Sequence, residues 1–206
     1  MTRVDIPRFH LISDRRICDL DQFPEVAARA VRAGVDAIHL REKDVASGKL
    51  LQVARALRVA IGDAKLFVND RVDIAILSGA DGVQLGETSM SVSDARTLGG
   101  NRLLVGRSVH DADGARCAVA DGADFVIAGH VYETASKAGQ PGRGLGFIKE
   151  IARVCPIPII VVGGITRENT PSVIGAGAHG IAVVSGILLA DNPEMAATGY
   201  ADELWR

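Results

Sequence analysis

Aromatic residues are scarce in this chain of 206 residues, and it has neither a long apolar run nor a large excess of either charge. Aromatic side chains make up 4% of the sequence, and 23 lysines and arginines nearly balance 25 aspartates and glutamates. Nucleic acid is therefore not an expected partner, because its binding needs a basic surface interleaved with aromatic residues. No apolar run approaches the roughly 20 residues that cross a bilayer, and the N-terminal residues lack the hydrophobic core of a signal peptide.

Cysteines are also few, at positions Cys18, Cys117 and Cys155. They form neither a Cys-x-x-Cys pair nor a metal-binding cluster, and their odd number does not suit a disulfide framework. No Gly-x-Gly-x-x-Gly nucleotide fingerprint follows the first apolar run. We therefore expect a cytoplasmic protein without membrane association, bound metal or cofactor.

The chain is rich, in contrast, in short apolar runs that alternate with amphipathic segments. The runs predict strands at 8–13, 37–41, 65–69, 82–85, 103–108, 125–130, 158–163 and 180–185. Most of them lack polar alternation, as expected for parallel strands covered on both faces. The intervening segments predict helices at 24–33, 50–61, 72–78, 93–98, 112–120, 145–154, 168–175 and 194–204.

A small-residue turn recurs between helix and strand. It reads Ala-Gly-Val-Asp at 33–36, Ser-Gly-Ala-Asp-Gly at 78–82, Asp-Gly-Ala-Asp at 121–124 and Ala-Gly-Ala-His-Gly at 176–180. The glycine ends the helix and the turn leads into the next strand. Eight such units in a chain of this length predict one domain, 1–206, folded as a (β/α)8 TIM barrel. An open doubly wound sheet is the alternative.

Functional side chains of a TIM barrel gather at the carboxyl ends of its strands. At the second strand, Arg41 and Lys43 share one face by strand alternation, and we predict that they bind an anionic substrate. At the third strand we predict a ligand contact for Asn69 and a helix-capping role for Asp70. At the fifth strand, Ser108 and His110 point to the same side, and we predict that both bind the substrate.

The sixth, seventh and eighth strands carry the strongest signals. The sixth ends at His130, and a polar, glycine-rich loop follows it. A histidine exchanges protons near neutral pH, so His130 is a candidate acid/base. The last two strands end in small residues whose N–H groups can approach a phosphate, at the corner where these barrels often bind one. The predicted phosphate-binding residues are Gly163, Gly164, Val184 and Ser185.

These motifs resemble the thiamin phosphate synthase and TenI superfamily over nearly the whole chain. Shared motifs are Leu-Arg-Glu-Lys at 40–43, Phe-Val-Asn-Asp-Arg at 67–71, Gly-Val-Gln-Leu-Gly at 82–86, Gly-Gly-Ile at 163–165 and Val-Val-Ser at 183–185. The resemblance implies a homodimer. Synthases of this superfamily join a pyrimidine diphosphate to a thiazole phosphate, and they hold magnesium with aspartates at the positions of Asp70 and Ser89. The serine at position 89 departs from that pattern.

Other motifs are similar to the TenI branch, the thiazole tautomerases. They are Gly-Arg-Ser-Val-His at 106–110, Gly-His-Val-Tyr-Glu-Thr at 129–134 and Gly-Arg-Gly at 142–144. We therefore predict an isomerase that aromatises a carboxythiazole phosphate tautomer without cofactor or metal, with His130 as the implied acid/base. The small-molecule thiazole phosphate would be its partner.

Two alternatives remain open. Arg41, Lys43, Asn69 and Asp70 are close to the synthase pattern, and so are the further substrate-binding candidates Thr134, Ser136 and Lys137. The first alternative is therefore a thiamin phosphate synthase. The second is a regulator that binds thiamin-related phosphates without turnover.

Overall fold

A computed structural model describes residues 5–205 of the chain. Eight parallel strands close into a barrel in sequence order, because β8 pairs with β1. The strands are β1 (Phe9–Ile12), β2 (Ala37–Leu40), β3 (Lys65–Asn69), β4 (Gly82–Leu85), β5 (Leu104–Val109), β6 (Phe125–Gly129), β7 (Ile159–Val162) and β8 (Gly180–Val183). The predicted TIM barrel is confirmed, and each predicted strand lies within two residues of its observed ends.

Helices cover the outside of the barrel. They are α1 (Phe23–Arg32), α2 (Ser47–Ala60), α3 (Val72–Ser78), α4 (Val92–Gly99), α5 (Ala112–Ala120), α6 (Gly144–Ala152), α7 (Thr170–Gly175), α8 (Ser185–Leu188) and α9 (Pro193–Leu204). Sequence analysis missed α8, because four residues are too few to show a helical period. Ser185 consequently begins a helix instead of ending a strand. Within residues 5–205, no helix has the length and apolar character needed to span a bilayer.

Two phenylalanine rings fill the amino-terminal half of the barrel interior. The rings of Phe67 and Phe125 are fully buried and meet edge to face, with centroids 5.1 Å apart. Glycines on the neighbouring strands make room for them, because a Cβ on Gly82 would lie 2.7 Å from Phe67 Cε1. A Cβ on Gly106 would lie 2.6 Å from Phe125 Cε2. This half of the barrel is therefore a packed core, and a cavity lies towards the carboxyl ends of the strands.

The recurring Asp of the helix–strand turns joins neighbouring strands at the amino end of the barrel. Each of three aspartates accepts a backbone N–H from the preceding strand: Asp36 from Phe9 at 2.7 Å, Asp81 from Leu66 at 2.9 Å and Asp124 from Val105 at 2.7 Å. In the fourth copy of the turn, His179 replaces the aspartate, and its Nε2 lies 2.9 Å from the Ile6 carbonyl oxygen. The repeated turn is thus a structural device of the barrel base.

Candidate active site

The carboxyl ends of the strands surround a cavity of about 670 Å³. Every residue that the sequence singled out for substrate, phosphate or proton-transfer roles lines it: Arg41, Lys43, Asn69, Ser108, His110, His130, Thr134, Ser136, Lys137, Gly163, Gly164, Val184 and Ser185. They meet because alternate residues of a strand share a face and because parallel strands end on the same side. Their roles stay predictions.

The cations at the end of β2 flank a buried carboxylate. Ser13 Oγ donates to Glu42 Oε1 over 2.5 Å, and Arg15 Nε lies 3.9 Å from Glu42 Oε2. Burial raises the pKa of Glu42 above its ordinary value. Since this carboxylate is engaged by the β1 loop, the exposed side chains of Arg41 and Lys43 line the cavity without a salt bridge among the described residues. They are available to an anion.

Asp70 belongs to a polar cluster between β3 and β4. Its Oδ1 accepts the Gly86 N–H at 3.0 Å and the Ser89 hydroxyl, while its Oδ2 accepts Asn69 Nδ2–H at 2.5 Å. The predicted capping role is wrong, because Arg71 is the N-cap residue of α3 and makes no side-chain capping bond. Asp70 has a left-handed backbone, with φ of 62°, and its carboxylate contacts the β4 loop.

Sequence reasoning missed two polar residues below the cavity mouth, His10 and Gln84. His10 Nδ1 lies 2.7 Å from Nε2 of His39, which lines the cavity. Gln84 donates through Nε2 to Ser108 Oγ at 3.1 Å, and its buried Oε1 has no partner among residues 5–205. Strand alternation would have found both, because they share the inward face with Ile12 and Gly86.

Contacts of His110 and Arg143 attach the loop after β6 to the end of β5. His110 Nδ1 lies 2.8 Å from the Gly129 carbonyl oxygen, and the Arg143 guanidinium donates to the His110 carbonyl. Arg143 also stacks on Phe147, with Cζ 5.0 Å from the ring centroid. His110 Nε2 faces Glu87 at 3.4 Å. This loop is therefore held against the end of β5.

The histidine and the glycines of the same loop have packing roles. His130 Nε2 lies 3.1 Å from the Pro141 carbonyl oxygen, so the ring spans the two ends of the loop. A Cβ on Gly142 would lie 2.6 Å from Tyr132 Cα. Gly144 has a left-handed backbone, with φ of 73°. The Gly-Arg-Gly sequence is thus explained by the close packing of this loop.

The glycines after β7 contact the same loop. Gly163 and Gly164 have φ of 98° and 66°, a region that other residues rarely adopt. A Cβ on Gly163 would lie 2.8 Å from His130 Cα, and one on Gly164 would lie 2.7 Å from Tyr132 Cβ. Their small size therefore serves loop packing as well as any ligand. Next to them, Ser185 begins α8, and the first amides of a helix have no preceding turn to donate to.

Comparison with known proteins places this barrel in a family. The family model described as thiamine monophosphate synthase matches residues 9–187. The chain therefore belongs to the thiamine monophosphate synthase/TenI family. It is 42% identical over 197 residues to a putative thiamine-phosphate synthase of Geobacter sulfurreducens, covering 94% of this chain and 92% of the relative.

Two further comparisons agree. A thiamine-phosphate synthase of Anaeromyxobacter dehalogenans is 43% identical over 173 residues, which cover 83% of this chain and 78% of the relative. The solved structure of a thiamine phosphate pyrophosphorylase from Pyrococcus furiosus matches with a TM-score of 0.88 at 31% identity, covering 96% of this chain and 95% of that one.

The prediction of an isomerase is wrong in the light of these relatives. They carry the name of the synthase, a transferase, over most of the chain, whereas the tautomerase prediction depended on Ser89 and on motifs from β5 to the loop after β6. In the structure, His130, Gly142 and Arg143 each make contacts that hold this loop in place.

Proposed function

We propose that this protein is a transferase that joins a pyrimidine diphosphate to a thiazole phosphate, forming thiamin phosphate. The observation that carries the proposal is the 42% identity to a relative named as a putative thiamine-phosphate synthase over 94% of the chain. The cavity supports it, because residues suited to anions lie in two separate regions of its wall. A reaction between a diphosphate and a monophosphate needs two such regions.

The first region is the small-residue corner after β7 and β8. There the N–H groups of Gly164 and Ser185 would hold the thiazole phosphate, because backbone amides at a helix start favour an anion. The second region is the end of β2, separated from that corner by β1, where Arg41 and Lys43 line the cavity. Lys137 lines the cavity from the loop after β6. These cations would hold the diphosphate, with the hydroxyl groups of Thr134 and Ser136 as further donors.

The coupling replaces one bond by another. A carbon–nitrogen bond forms between the pyrimidine methylene carbon and the thiazole nitrogen, and the carbon–oxygen bond breaks, so that diphosphate leaves with the electron pair. Cations fixed around the diphosphate stabilise the charge that develops on it. This step needs no proton removal from carbon. We therefore propose that His130 orders the loop after β6 through its contact with Pro141.

Magnesium is implied for synthases by the family pattern. This chain keeps one of the two carboxylates of that pattern, Asp70, and has Ser89 at the position of the other. Residues 5–205 contain no group of three or more His, Cys, Asp or Glu side chains placed to hold a metal. The Asp70–Ser89–Asn69 cluster offers oxygen atoms with one carboxylate, which suits magnesium when substrate phosphates complete its shell. Asp70 would hold the ion, which when bound would help to neutralise the diphosphate.

The test uses purified protein with the pyrimidine diphosphate, the thiazole phosphate and magnesium. Thiamin phosphate and diphosphate should appear together in equal amounts, detected by mass and by a diphosphate assay. A Ser89→Asp variant should bind magnesium more tightly in the absence of substrate, because it adds a second carboxylate. Aromatisation of the thiazole tautomer without any coupling would contradict the proposal.

Homodimerisation, a cytoplasmic location and the lack of nucleic-acid or membrane partners stay predictions. For the homodimer, the proposal is that two copies associate as the family resemblance implies. Light scattering on the purified protein tests it, since a mass near 21.6 kDa would mean a monomer.

A further inference from the structure

A pair of histidines lies inside the barrel, between the aromatic core and the cavity. His10 of β1 and His39 of β2 are 0% and 1% exposed. His10 Nδ1 and His39 Nε2 are 2.7 Å apart, and the Phe67 ring stacks on His39 with centroids 4.8 Å apart. Of the two, His39 lines the cavity.

The direction of the hydrogen bond between the two rings follows from the contact that His10 makes on its other side, with Pro7. His10 Nε2 lies 2.9 Å from the Pro7 carbonyl oxygen, which can only accept, so His10 carries its proton on Nε2. A neutral His10 then presents a lone pair at Nδ1, and His39 must donate to it through Nε2–H. His39 Nδ1 is consequently unprotonated, and it has no protein partner among the described residues.

Both rings are neutral in the folded protein near pH 7. Burial lowers the pKa of His10 to about 4. Burial lowers the pKa of His39 well below its ordinary value, and proximity to His10 lowers it further. The hydrogen-bond direction that the geometry requires therefore holds under ordinary conditions.

Gln84 lines the same cavity, but its side-chain oxygen does not face it. Its Nε2 lies 3.3 Å from the Leu85 carbonyl oxygen and 3.1 Å from Ser108 Oγ. Because a carbonyl only accepts, the amide nitrogen must face Leu85, and the oxygen Oε1 must face away. That oxygen is the buried polar side-chain atom that lacks a partner in residues 5–205. It lies against the packed core, because a Cβ on Gly106 would be 2.1 Å from it and 2.4 Å from Phe125 Cζ. His39 Nδ1 is therefore the acceptor that the cavity offers from this group of side chains.

We propose that His10 is a positioning residue that fixes His39 as its Nε2–H tautomer, so that His39 Nδ1 meets the substrate as an acceptor only. The matching ligand group is a neutral N–H donor, such as an amino group on an aromatic heterocycle. Apolar residues that line the same cavity, Ile12, Ile127 and Ala182, suit the face of such a ring. The ligand assignment rests on the proposed function, whereas the tautomer of His39 does not.

The tautomer is measured on the free protein by ¹⁵N–¹H correlation spectroscopy of the imidazole rings. The chain has five histidines, so single substitutions assign each signal. In the wild type, His39 should show a protonated Nε2 and an unprotonated Nδ1. In His10→Asn, whose Oδ1 can replace the Nδ1 acceptor, this pattern should persist. In His10→Phe it should be lost. A His39 protonated on Nδ1 in the wild type would overturn the proposal even if no variant folds.

The consequence for binding is measured separately, by steady-state kinetics with the pyrimidine diphosphate. His10→Phe should raise KM about tenfold, the effect of one lost hydrogen bond, with kcat changed much less. His10→Asn should restore KM. The control is His179→Asn, which alters a histidine at the barrel base outside the cavity lining and should change neither KM nor the His39 spectrum. An unchanged KM in His10→Phe would overturn the ligand assignment, and absence of coupling by the wild type would instead refute the proposed function.

Discussion

Charged side chains at the two ends of the barrel differ in what surrounds them. At the amino end, Asp81 accepts the Leu66 N–H at 2.9 Å and pairs with Arg58 and Lys65 at 2.6 and 2.9 Å. At the carboxyl end, Arg41 and Lys43 line the cavity and have no salt bridge within residues 5–205.

This difference predicts which charged residues contribute to the free energy of unfolding and which contribute to function. A half-buried charge that is fully paired joins elements together, and its loss leaves unpaired partners behind. A cation next to a cavity that makes no salt bridge contributes little to folding and is available to a ligand. Substitutions at the base should therefore change the free energy of unfolding, and those at the mouth should change catalysis.

The largest expected effect is at the mouth. The double substitution Arg41→Ala and Lys43→Ala should lower kcat/KM for coupling by on the order of 10³-fold, since two donors to the diphosphate are lost. Urea denaturation should give an unchanged free energy of unfolding. A variant with normal kcat/KM, or one destabilised as strongly as a base variant, would remove the distinction between the two ends.

The histidine pair between the two ends should make stability depend on pH. Burial lowers the pKa of His10 to about 4 in the folded state, against an ordinary 6.5, and the titratable rings that face it are those of His39 and His179. As pH falls from 6.5 towards 4, the unfolded chain takes up a proton that the folded chain excludes. Stability from this site is therefore full above pH 6.5, and roughly 3 kcal/mol of it is lost by pH 4.

Urea denaturation at pH 7 and at pH 4.5 measures this loss. His10→Asn removes the titrating group, so its stability should fall less over that interval than that of the wild type. Equal losses in the two proteins would show that His10 does not exclude a proton in the folded state.

At the barrel base, Asp81→Ala should lower the free energy of unfolding by about 2 kcal/mol. The substitution leaves the Leu66 N–H without an acceptor and Arg58 and Lys65 without their carboxylate. Asp81→Asn keeps an acceptor for Leu66 and should cost about half as much. The coupling activity of the folded fraction should stay unchanged in both. Chemical denaturation measures the free energy of unfolding, and kinetics on the same samples measure the coupling activity. Lost activity in fully folded protein would contradict the proposed difference between the two ends of the barrel.

The smallest effect is expected at an exposed ion pair on α5. The Arg116 and Asp113 side chains are 56% and 89% exposed. Arg116→Ala should change the free energy of unfolding by less than about 0.5 kcal/mol, because water and salt screen such pairs. A loss comparable to that of Asp81→Ala would mean that burial does not explain the strength of the pairs at the base.

Local pattern was sufficient for the strands and for the position of the site. Apolar runs predicted every strand, and the rule that barrel sites form at carboxyl strand ends brought Arg41, His130 and Ser185 to one cavity. It was not sufficient for Asp70, whose left-handed backbone turns the carboxylate towards β4. It also failed for the reaction, because the residues around Gly142 and Arg143 that favoured an isomerase also hold one loop in place and do not by themselves identify a reaction.

By itself, the sequence determined the barrel, its closure by eight repeated units and the residues at its mouth, because apolar periodicity and turn composition act between residues close in the chain. Only the tertiary structure decided what those residues contact. The pairing of His10 with His39, the unpaired Gln84 oxygen and the close contact of Gly164 with Tyr132 join residues from different strands and loops. Such contacts depend on the register and spacing of the closed barrel, which a local pattern does not contain.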